Sequence, residues 1–524
     1  MALGKARVEQ RFERPRELLG DRLRGVYRLL ADHGARLFPD DYFADLYMAS
    51  SRGRPTIPAR VLATVVLLQA HEGLSDQEAC DRLERDLAWQ AAAGVHTGYR
   101  AFHPTTLTGL RNRLRASGRP RRLFEDTRAV AVEAGLLGGR ARVLDSTPLY
   151  DAVATQDTVT QLRSAIRKLL RALDRDHPLL AARVRSVLRR DDDYVAPGKP
   201  PCDWDDSEAR DQLIDALVRD AHAALEALDG EALAGPTAEA AELLALVAGQ
   251  DIEHDSDSDG VFRIARRVAK DRVISTVDVE ARHGHKSRNR RFDGYKTHMS
   301  VDPDSELIDE VVVTPANVHD SEPAGDLLAP SAEAEDKPEV FADSAYAGAD
   351  TLAGLHEAGY KVNAKVPPAA NRQGRFSKDD FVVDLDGHTV TCPADWQVPI
   401  RFGPDGAGTA SFAERCTDCP LRERCTTATA GRTISIHPKE AVLQQAKAEQ
   451  ADPGWQATYR ATRPKVERKI AHYARAAWGG RRARTRGLRR IATDADTRAA
   501  AVNWARLDVL GLSWNGRSWT AAPP

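Results

Sequence analysis

Short apolar runs of strand length dominate residues 273–367, and they constrain the fold more than any other feature of the chain. The runs are VISTVDV (273–279), YKTHMSVD (295–302), LIDEVVVTPAN (307–317), EVFADSAYAG (339–348) and YKVNAKVP (360–367). The segment DTLAGLHEAG, which has the pattern of a helix, separates the last two runs. Strands mixed with helices predict an α/β or α+β domain.

The region before these strands has the pattern of a helical unit. IPARVLATVVLLQAHEG has apolar residues at helical spacing and is expected to end at Gly73. Ser75 and Glu78 form a capping-box pattern that predicts the start of a second helix. A third helix, in HPTTLTGLRNRLRASG, is expected to be capped by Thr105 and to end at Gly118.

Arg111 and Arg115 lie on one face of the third predicted helix. Three short helices with a basic face on the last predict a helix-turn-helix-like unit that contacts DNA. A small helical bundle without DNA contact is the alternative.

Changes in pattern along the chain predict two domains. We expect a helical N-terminal domain at 1–135 and a catalytic domain at 136–515. The catalytic domain would be interrupted twice, by a helical insertion at about 155–270 and by a Gly-, Pro- and Cys-rich insertion at about 370–440.

Basic residues are concentrated in three stretches, although the net charge of the whole chain is only −2. They lie at 111–128, 282–298 and 460–490. A local stripe of positive charge is what a polyanion contacts, so the distribution favours a nucleic-acid partner over the alternative of solvated charged faces. From Arg460 to Arg490 there are twelve Lys or Arg residues and a single acid, Glu467.

Two acids are expected at strand ends. Asp145 follows RVL and Asp343 follows EVFA. Each could be an ordinary surface acid, but together with Glu467 they could hold one or two Mg²⁺ ions, which prefer oxygen ligands. Two such metals can stabilise both the attacking and the leaving oxygen of a phosphodiester displacement.

Four cysteines fall close together in the second insertion. Cys416 and Cys419 form a Cys-x2-Cys pair, with Cys392 before them and Cys425 after them. Four thiolates can close a structural zinc site, and buried free thiols are the alternative.

Other polar clusters surround the predicted catalytic strands. The basic segment ARHGHKSRNRRFDGYKTH predicts phosphate contacts by Arg288, Arg290, Arg291 and Lys296. In PANVHDSEPA, either Asp320 or Ser321 caps the next helix, or Asn317, His319 and Asp320 support the carboxylates from behind.

Several quoted segments resemble the DDE transposases of bacterial insertion sequences. They are RVLDSTPLYDAVATQDT, VDVEARHGHKSRNRRFDGYKTHMSVD, VVVTPANVHDS, FADSAYAG, the cysteine cluster and RPKVERKIAHYARAAWGGRRARTRGLRR, in the family's order. The resemblance implies an RNase H-like catalytic domain in which Asp145, Asp343 and Glu467 are the DDE acids. It also implies Mg²⁺ or Mn²⁺ as cofactor, terminal inverted repeats and target DNA as partners, and a dimer or larger assembly on DNA.

The signature around the glutamate is only partly kept. Arg463 stands four residues before Glu467, as in the family, but Tyr459 lies one residue too far upstream. Ala474 occupies the family's lysine position, with Arg475 beside it. We therefore expect Arg463, on the same helical face as Glu467, either to contact DNA or to support the carboxylates from behind. Arg475, Arg481 and Arg482 are expected to contact DNA.

Three alternatives to a transposase remain at the level of sequence. They are an RNase H-like nuclease without strand transfer, an inactive DNA-binding relic and a structural zinc protein. No run approaches the roughly 18 apolar residues of a membrane span. We expect a cytoplasmic, nucleoid-associated bacterial protein without membrane contact.

Overall fold

The computed structural model describes most of the chain. The described residues are 14–48, 55–151, 154–250, 252–254, 262–264, 269, 271–287, 289–370, 373–476 and 480–521.

Helices are present from the N-terminal region to the end of the described chain. They are α1 (Pro15–Leu19), α2 (Gly25–Leu37), α3 (Ala59–Glu72), α4 (Asp76–Arg85), α5 (Leu87–Ala93), α6 (Thr105–Ala116), α7 (Arg122–Glu133), α8 (Thr158–Asp176), α9 (Pro178–Val187), α10 (Ser207–Glu226), α11 (Gly235–Gly249), α12 (Ala324–Leu328), α13 (Ala349–Glu357), α14 (Arg422–Cys425), α15 (Glu440–Ala451), α16 (Pro453–Thr462), α17 (Pro464–Tyr473) and α18 (Leu488–Val509).

Strands begin after α7. They are β1 (Ala141–Tyr150), β2 (Ile252–His254), β3 (Phe262–Ile264), β4 (Arg282–Ser287), β5 (Arg290–Val301), β6 (Ile308–Pro315), β7 (Glu339–Ala342), β8 (Val362–Ala364), β9 (Val382–Asp384), β10 (Thr389–Thr391), β11 (Gln397–Pro399), β12 (Arg401–Phe402), β13 (Gly408–Ser411), β14 (Thr433–Ile436), β15 (Ser513–Trp514) and β16 (Trp519–Thr520).

The largest sheet has the order β4-β5-β1-β7-β8, with β6 also paired to β5. β1 and β6 both run antiparallel to β5, whereas β1, β7 and β8 run parallel to one another. The expected mixture of helices and strands is therefore confirmed, and the architecture is α+β.

Four of the five predicted strand runs form strands of this sheet, namely β5, β6, β7 and β8. The prediction for residues 273–279 is wrong, because this segment is not a strand. Its backbone bonds to side chains instead: Val273 N–H donates to Gln250 Oε1 over 2.9 Å, and Thr276 N–H donates to Gln156 Oε1 over 2.8 Å.

The N-terminal helices follow most of the expected boundaries. α3 ends at Gly73, which has φ 72°, the left-handed conformation that glycine adopts without strain. Ser75 and Glu78 form the predicted capping box at the start of α4. The cap predicted at Thr105 is wrong, because the N-cap of α6 is Pro104 without a side-chain hydrogen bond, and the helix ends at Ala116.

One hydrophobic core joins the N-terminal helices to the large sheet. Leu62 of α3, Met299 of β5 and Trp504 of α18 belong to it, and each is fully buried. α18 is not among the helices predicted from the sequence. The proposed boundary between domains at residue 135 stays a prediction.

The helices of the first insertion, α8 to α11, enclose a separate core that includes Leu169, Leu217 and Leu244. The two ends of the insertion meet, since Gln156 N–H donates to Ile274 O over 2.9 Å. The Cys-rich region likewise has a small core of its own, around Val390, Phe412 and Ile434.

Candidate active site

Asp145 and Asp343 lie beside each other on adjacent strands. The parallel pairing of β1 with β7 ends at Val143 and Phe341, and each aspartate comes two residues after its strand's last paired residue. Asp343 directly follows β7, as predicted. Asp145 lies within β1 rather than at its end, because β1 stays paired with β5 as far as Tyr150.

Both aspartates are held by backbone N–H groups. Asp145 Oδ1 accepts a hydrogen bond from Ser146 N over 2.7 Å. Asp343 Oδ1 accepts one from Ala345 N over 2.9 Å, and this bond caps the short 3-10 turn Ser344–Tyr346. In each case the second carboxylate oxygen is not used by that bond.

Glu467 reaches the same site from α17. Val466, Ile470 and Tyr473 of this helix are buried in the core, a spacing that turns the neighbouring face toward the aspartates. Pro464 starts α17, so the chain turns at Arg463, between α16 and α17.

Arg463 stands between the carboxylates. Its Nη2 lies 3.0 Å from Asp145 Oδ2, and its Nη1 lies 3.7 Å from Glu467 Oε1. The side chains of Arg463 and Asp145 are 9% and 15% exposed, whereas that of Glu467 is 66% exposed. The arginine thus forms a buried pair with one acid and an open contact with the other.

Burial raises the pKa of Asp145, and the charge of Arg463 only partly opposes this, while nearby Asp343 raises the pKa further. The same environment raises the pKa of the Tyr346 hydroxyl, through burial and the negative charges of Asp320, Asp145 and Asp343. A concentration of negative charge at low solvent exposure favours binding of a cation.

The three acids line one cleft of about 450 Å³. This cleft is also lined by His285 and Lys286, which belong to the basic segment ARHGHKSRNRRFDGYKTH. The lining residues that the sequence analysis did not name as site residues are Ser146, Pro148, Phe292 and Ile470.

Lys296 and Asp320 form a second buried ion pair in the cleft. Lys296 Nζ donates to Asp320 Oδ1 over 2.6 Å and to Val318 O over 2.8 Å. Burial would raise the pKa of Asp320, but the hydrogen bond and charge of Lys296 outweigh it, and the pKa is lowered. The structure gives neither Asp320 nor Ser321 a capping role, since α12 begins at Ala324 without a side-chain cap.

Asn317 and His319 lie outside the cleft lining. Asn317 Nδ2 donates to Asp271 Oδ1 over 2.7 Å, and His319 Nδ1 is 2.9 Å from Ser321 Oγ, within its own turn.

The basic residues expected at DNA are placed in different surroundings. Arg481 lines the carboxylate cleft. Arg290, Arg291, Arg475 and Arg482 are exposed on the surface. Arg288 lies outside the described residues.

Arg111 connects three helices. It forms an ion pair with Asp76 at 2.9 Å and donates to Gln69, so that α6 is tied to α3 and α4. Arg115, one turn later, lies at a groove between α6 and the start of α18.

The oxygen donors of the carboxylate cleft suit Mg²⁺ or Mn²⁺ in chemical type. Within the part of the chain that the structure describes, however, no group of three or more His, Cys, Asp or Glu side chains is arranged to hold a metal. At the carboxylates, the guanidinium of Arg463 contacts both Asp145 and Glu467.

The expected zinc site is not found among the described residues. Cys392, Cys416, Cys419 and Cys425 line one cavity of about 20 Å³, and all four are free thiols. Burial raises the pKa of Cys425. Cys416 and Cys425 are buried, whereas Cys392 and Cys419 are partly exposed. The zinc site and the buried free thiols both stay predictions.

Two family models match the chain. One, described as "Transposase DDE domain", matches residues 391–508, and the other, described as "Transposase domain (DUF772)", matches residues 13–113. Both matched models are transposase domains, and together they indicate a DDE transposase of an insertion sequence. No curated protein and no solved structure matches it.

The two matched regions include one of the three acids of the cleft. The first contains Glu467, whereas Asp145 and Asp343 lie outside both. A transposase family implies DNA as a partner, and DDE transposase domains generally use divalent metal ions. Within the described residues, every helix is too short or too polar to cross a lipid bilayer.

Proposed function

We propose that this transposase binds the terminal inverted repeats of its element and cuts and joins DNA at the cleft of Asp145, Asp343 and Glu467. The observation that carries the proposal is the position of Asp145 and Asp343, side by side on adjacent parallel strands. Glu467 faces them from α17 across Arg463. Three acids from distant parts of the chain thus line one cleft.

The sheet supports an RNase H-like catalytic domain. On one side of the central strand β1 lies β5, which is antiparallel to β1, and then β6, which is antiparallel to β5. On the other side lie β7 and β8, which are parallel to β1. This order and direction of strands supports the RNase H-like fold that the resemblance implies. It puts the first aspartate on the central strand and the second just after the adjacent parallel strand.

In the proposed reaction, water attacks the phosphorus at the element end and the P–O3′ bond breaks, which gives a 3′-OH and a 5′-phosphate. The 3′-OH then attacks a phosphorus of the target DNA, and the P–O3′ bond of the target breaks with release of a target 3′-OH. Both steps are in-line displacements at phosphorus, so one site serves both. A divalent ion bound by Asp145, Asp343 and Glu467 would act as a Lewis acid for the attacking and leaving oxygens. Lys286 and Arg481, on the walls of the cleft, would neutralise the phosphate charge.

The contact of Arg463 with Asp145 would have to change in this reaction. Its guanidinium neutralises Asp145 in the structure, and a bound cation would take over that role. Arg463 would then be released from Asp145 and could contact the phosphate of the substrate.

We also propose that the N-terminal helices α3 to α6 contact the inverted repeats in a helix-turn-helix-like manner. Arg115 is a better candidate for DNA contact than Arg111, whose guanidinium is used in the pair with Asp76. Because two element ends must be joined, we expect a dimer or larger assembly on DNA.

The test is Mg²⁺-dependent cleavage and joining of DNA that carries the element ends, by the wild type and by Asp343→Asn. Asparagine can keep the cap of the 3-10 turn, since its side-chain oxygen also accepts from Ala345 N. We expect the variant to fold and bind DNA but to lose cleavage by at least about 10³-fold, as loss of a group that acts in the transition state does.

The possible outcomes separate the alternatives. Cleavage without joining by the wild type would identify a nuclease, and binding with neither activity would identify a DNA-binding relic. Full activity of Asp343→Asn would remove Asp343 from the catalytic site.

A further inference from the structure

A second large cleft lies where the N-terminal helices meet the C-terminal part of the chain. It has a volume of about 640 Å³. One wall comes from α3, α4 and α6, and the other from the segment before α18 and the first turns of that helix. We call it the α6–α18 groove, and its charged lining residues are Asp76, Arg111, Arg115, Arg484, Arg490 and Asp494.

The acids of the groove are already paired. Asp76 forms its ion pair with Arg111 at 2.9 Å, and Asp494 lies 3.6 Å from Arg498. Arg115, Arg484 and Arg490 therefore leave the groove with net positive charge.

The positive charges also face one another. The pKa of Arg115 is lowered, first by burial and then by the charges of Arg490, Arg111 and Arg489. Arg489 Nη2 donates to the Arg115 carbonyl over 3.2 Å, so the two basic segments are in direct contact. Mutual repulsion of this kind is relieved when an anion enters between the guanidinium groups.

A continuous basic segment connects this groove with the carboxylate cleft. Arg481 lines the cleft, and Arg484 and Arg490 line the groove. The connecting chain is fixed to β1, because Tyr150 N–H donates to Arg481 O over 2.7 Å and Ala483 N–H donates to Tyr150 O over 2.8 Å. The segment therefore extends from one site to the other at a fixed position on the sheet.

We infer that the α6–α18 groove binds the phosphate backbone of the DNA duplex that extends away from the carboxylate cleft. Arginine, hydroxyl and amide side chains are the usual phosphate ligands, and Asn112, Thr108 and Thr485 supply the last two types in the groove. An acidic protein segment would also meet positive charge here, but the fixed connection to the carboxylate cleft favours the strand that is being cut. The inference rests on the proposed function, because it needs DNA in that cleft.

The experiment measures binding of the full-length protein to fluorescein-labelled random-sequence duplexes of 12 and 30 base pairs by fluorescence anisotropy at several salt concentrations. Random sequence is suitable because backbone contacts do not depend on base sequence. The main variant is Arg115→Gln/Arg490→Gln.

We expect this double variant to bind the 30-base-pair duplex about 10-fold or more weakly. Its salt dependence should decrease by about 2 in the slope of log K against log salt, or about 1 for each lost phosphate contact. The 12-base-pair duplex should be weakened in the same direction, since it too can contact the groove.

Two further variants control for folding and for general charge. Arg490→Glu changes one exposed residue at the start of α18 and should weaken binding of the long duplex without lowering the melting temperature. Arg85→Gln removes an exposed charge from α4, outside the groove lining, and should keep the wild-type affinity within about 2-fold.

Wild-type affinity and salt dependence in both groove variants would overturn the inference, and so would an equal loss in Arg85→Gln. Failure of the proposed function has a different signature. In that case Asp343→Asn would cleave DNA like the wild type, whatever the groove variants do.

Discussion

Arg463 and Asp145 form a buried ion pair, with Nη2 and Oδ2 3.0 Å apart, at the centre of the carboxylate cleft. The same guanidinium lies 3.7 Å from Glu467. A positive side chain thus stands where a divalent cation would be expected between the acids. The folded protein has an arginine at this position, whereas the proposed reaction needs a divalent cation there.

Replacement of Arg463 tests whether its guanidinium occupies the position of a cation. We expect Arg463→Ala to lower the free energy of unfolding by about 3 kcal/mol, because it leaves Asp145 buried without its partner. Added Mg²⁺ should raise the melting temperature of this variant more than that of the wild type, since the metal can replace the lost cation. Thermal melts with and without Mg²⁺ measure both effects.

Arg460→Ala is the matched control. Arg460 is an exposed arginine near the end of α16 that donates to Gln456 of its own helix. Its removal should leave both the stability and the response to Mg²⁺ unchanged. An equal response to Mg²⁺ in wild type and Arg463→Ala would show that the acids do not share a cation.

Arg111 is expected to contribute to stability through Asp76 rather than to DNA binding. The two side chains are each 28% exposed, so the pair is partly screened by solvent. A double-mutant cycle with Arg111→Ala and Asp76→Ala should give a coupling energy of about 1 kcal/mol in urea unfolding. Independent effects of the two substitutions, or a DNA-binding defect confined to Arg111→Ala, would contradict this assignment.

His298 should make the protein sensitive to acid. It is fully buried on β5, with Nε2 2.8 Å from Thr314 Oγ1, and burial lowers its pKa below 6.5 against the opposing charge of Asp320. The unfolded chain therefore takes up this proton first when the pH falls below 6.5. Stability should then decrease by up to about 1.4 kcal/mol per pH unit until the folded-state pKa is reached.

His298→Gln should remove this part of the pH dependence while keeping a polar partner for Thr314. Urea unfolding between pH 7 and pH 5 tests it. An identical slope in wild type and variant would assign the effect to other groups.

The helical insertion should be removable. Its helices have a core of their own, and Gln156 N lies 2.9 Å from Ile274 O. Replacement of residues 158–273 by a short Gly-Ser linker should leave a folded protein, since ends that meet need little chain to join them. Circular dichroism and a melting temperature within about 5 °C of the wild type would agree with this expectation, on the scale of about 1–2 kcal/mol for a chain of this size. Aggregation or loss of the cooperative transition would show that the sheet depends on the insertion.

The sequence predicted local elements best where their signals are local. The capping box of Ser75 and Glu78 and the glycine end at Gly73 both appear as expected, because such signals act within one helical turn. The strand predicted at 273–279 failed because the side chains of Gln250 and Gln156 satisfy its backbone in place of a neighbouring strand. No local pattern reports that such partners are in reach.

At the candidate site, too, local motifs could be predicted from the sequence and contacts between distant residues could not. Asp145, Asp343 and Glu467 were identified from motifs, and they do line one cleft. The pairs Arg463–Asp145, Lys296–Asp320 and Arg111–Asp76 could not be predicted, because each joins residues that are far apart along the chain. Which acid an arginine pairs with depends on packing rather than on spacing.

By itself, the sequence determined the types of helix and strand and which acids, bases and thiols the transposase carries, because periodicity and capping depend on residues within a few positions of one another. The tertiary structure decided that Asp145 on β1 and Asp343 just after β7 lie side by side and that Arg463 lies between Asp145 and Glu467. It also placed Arg115 opposite the start of α18, in the groove. The physical reason is that strand register and ion pairing are fixed only when the core closes and brings distant segments within a few ångströms of each other.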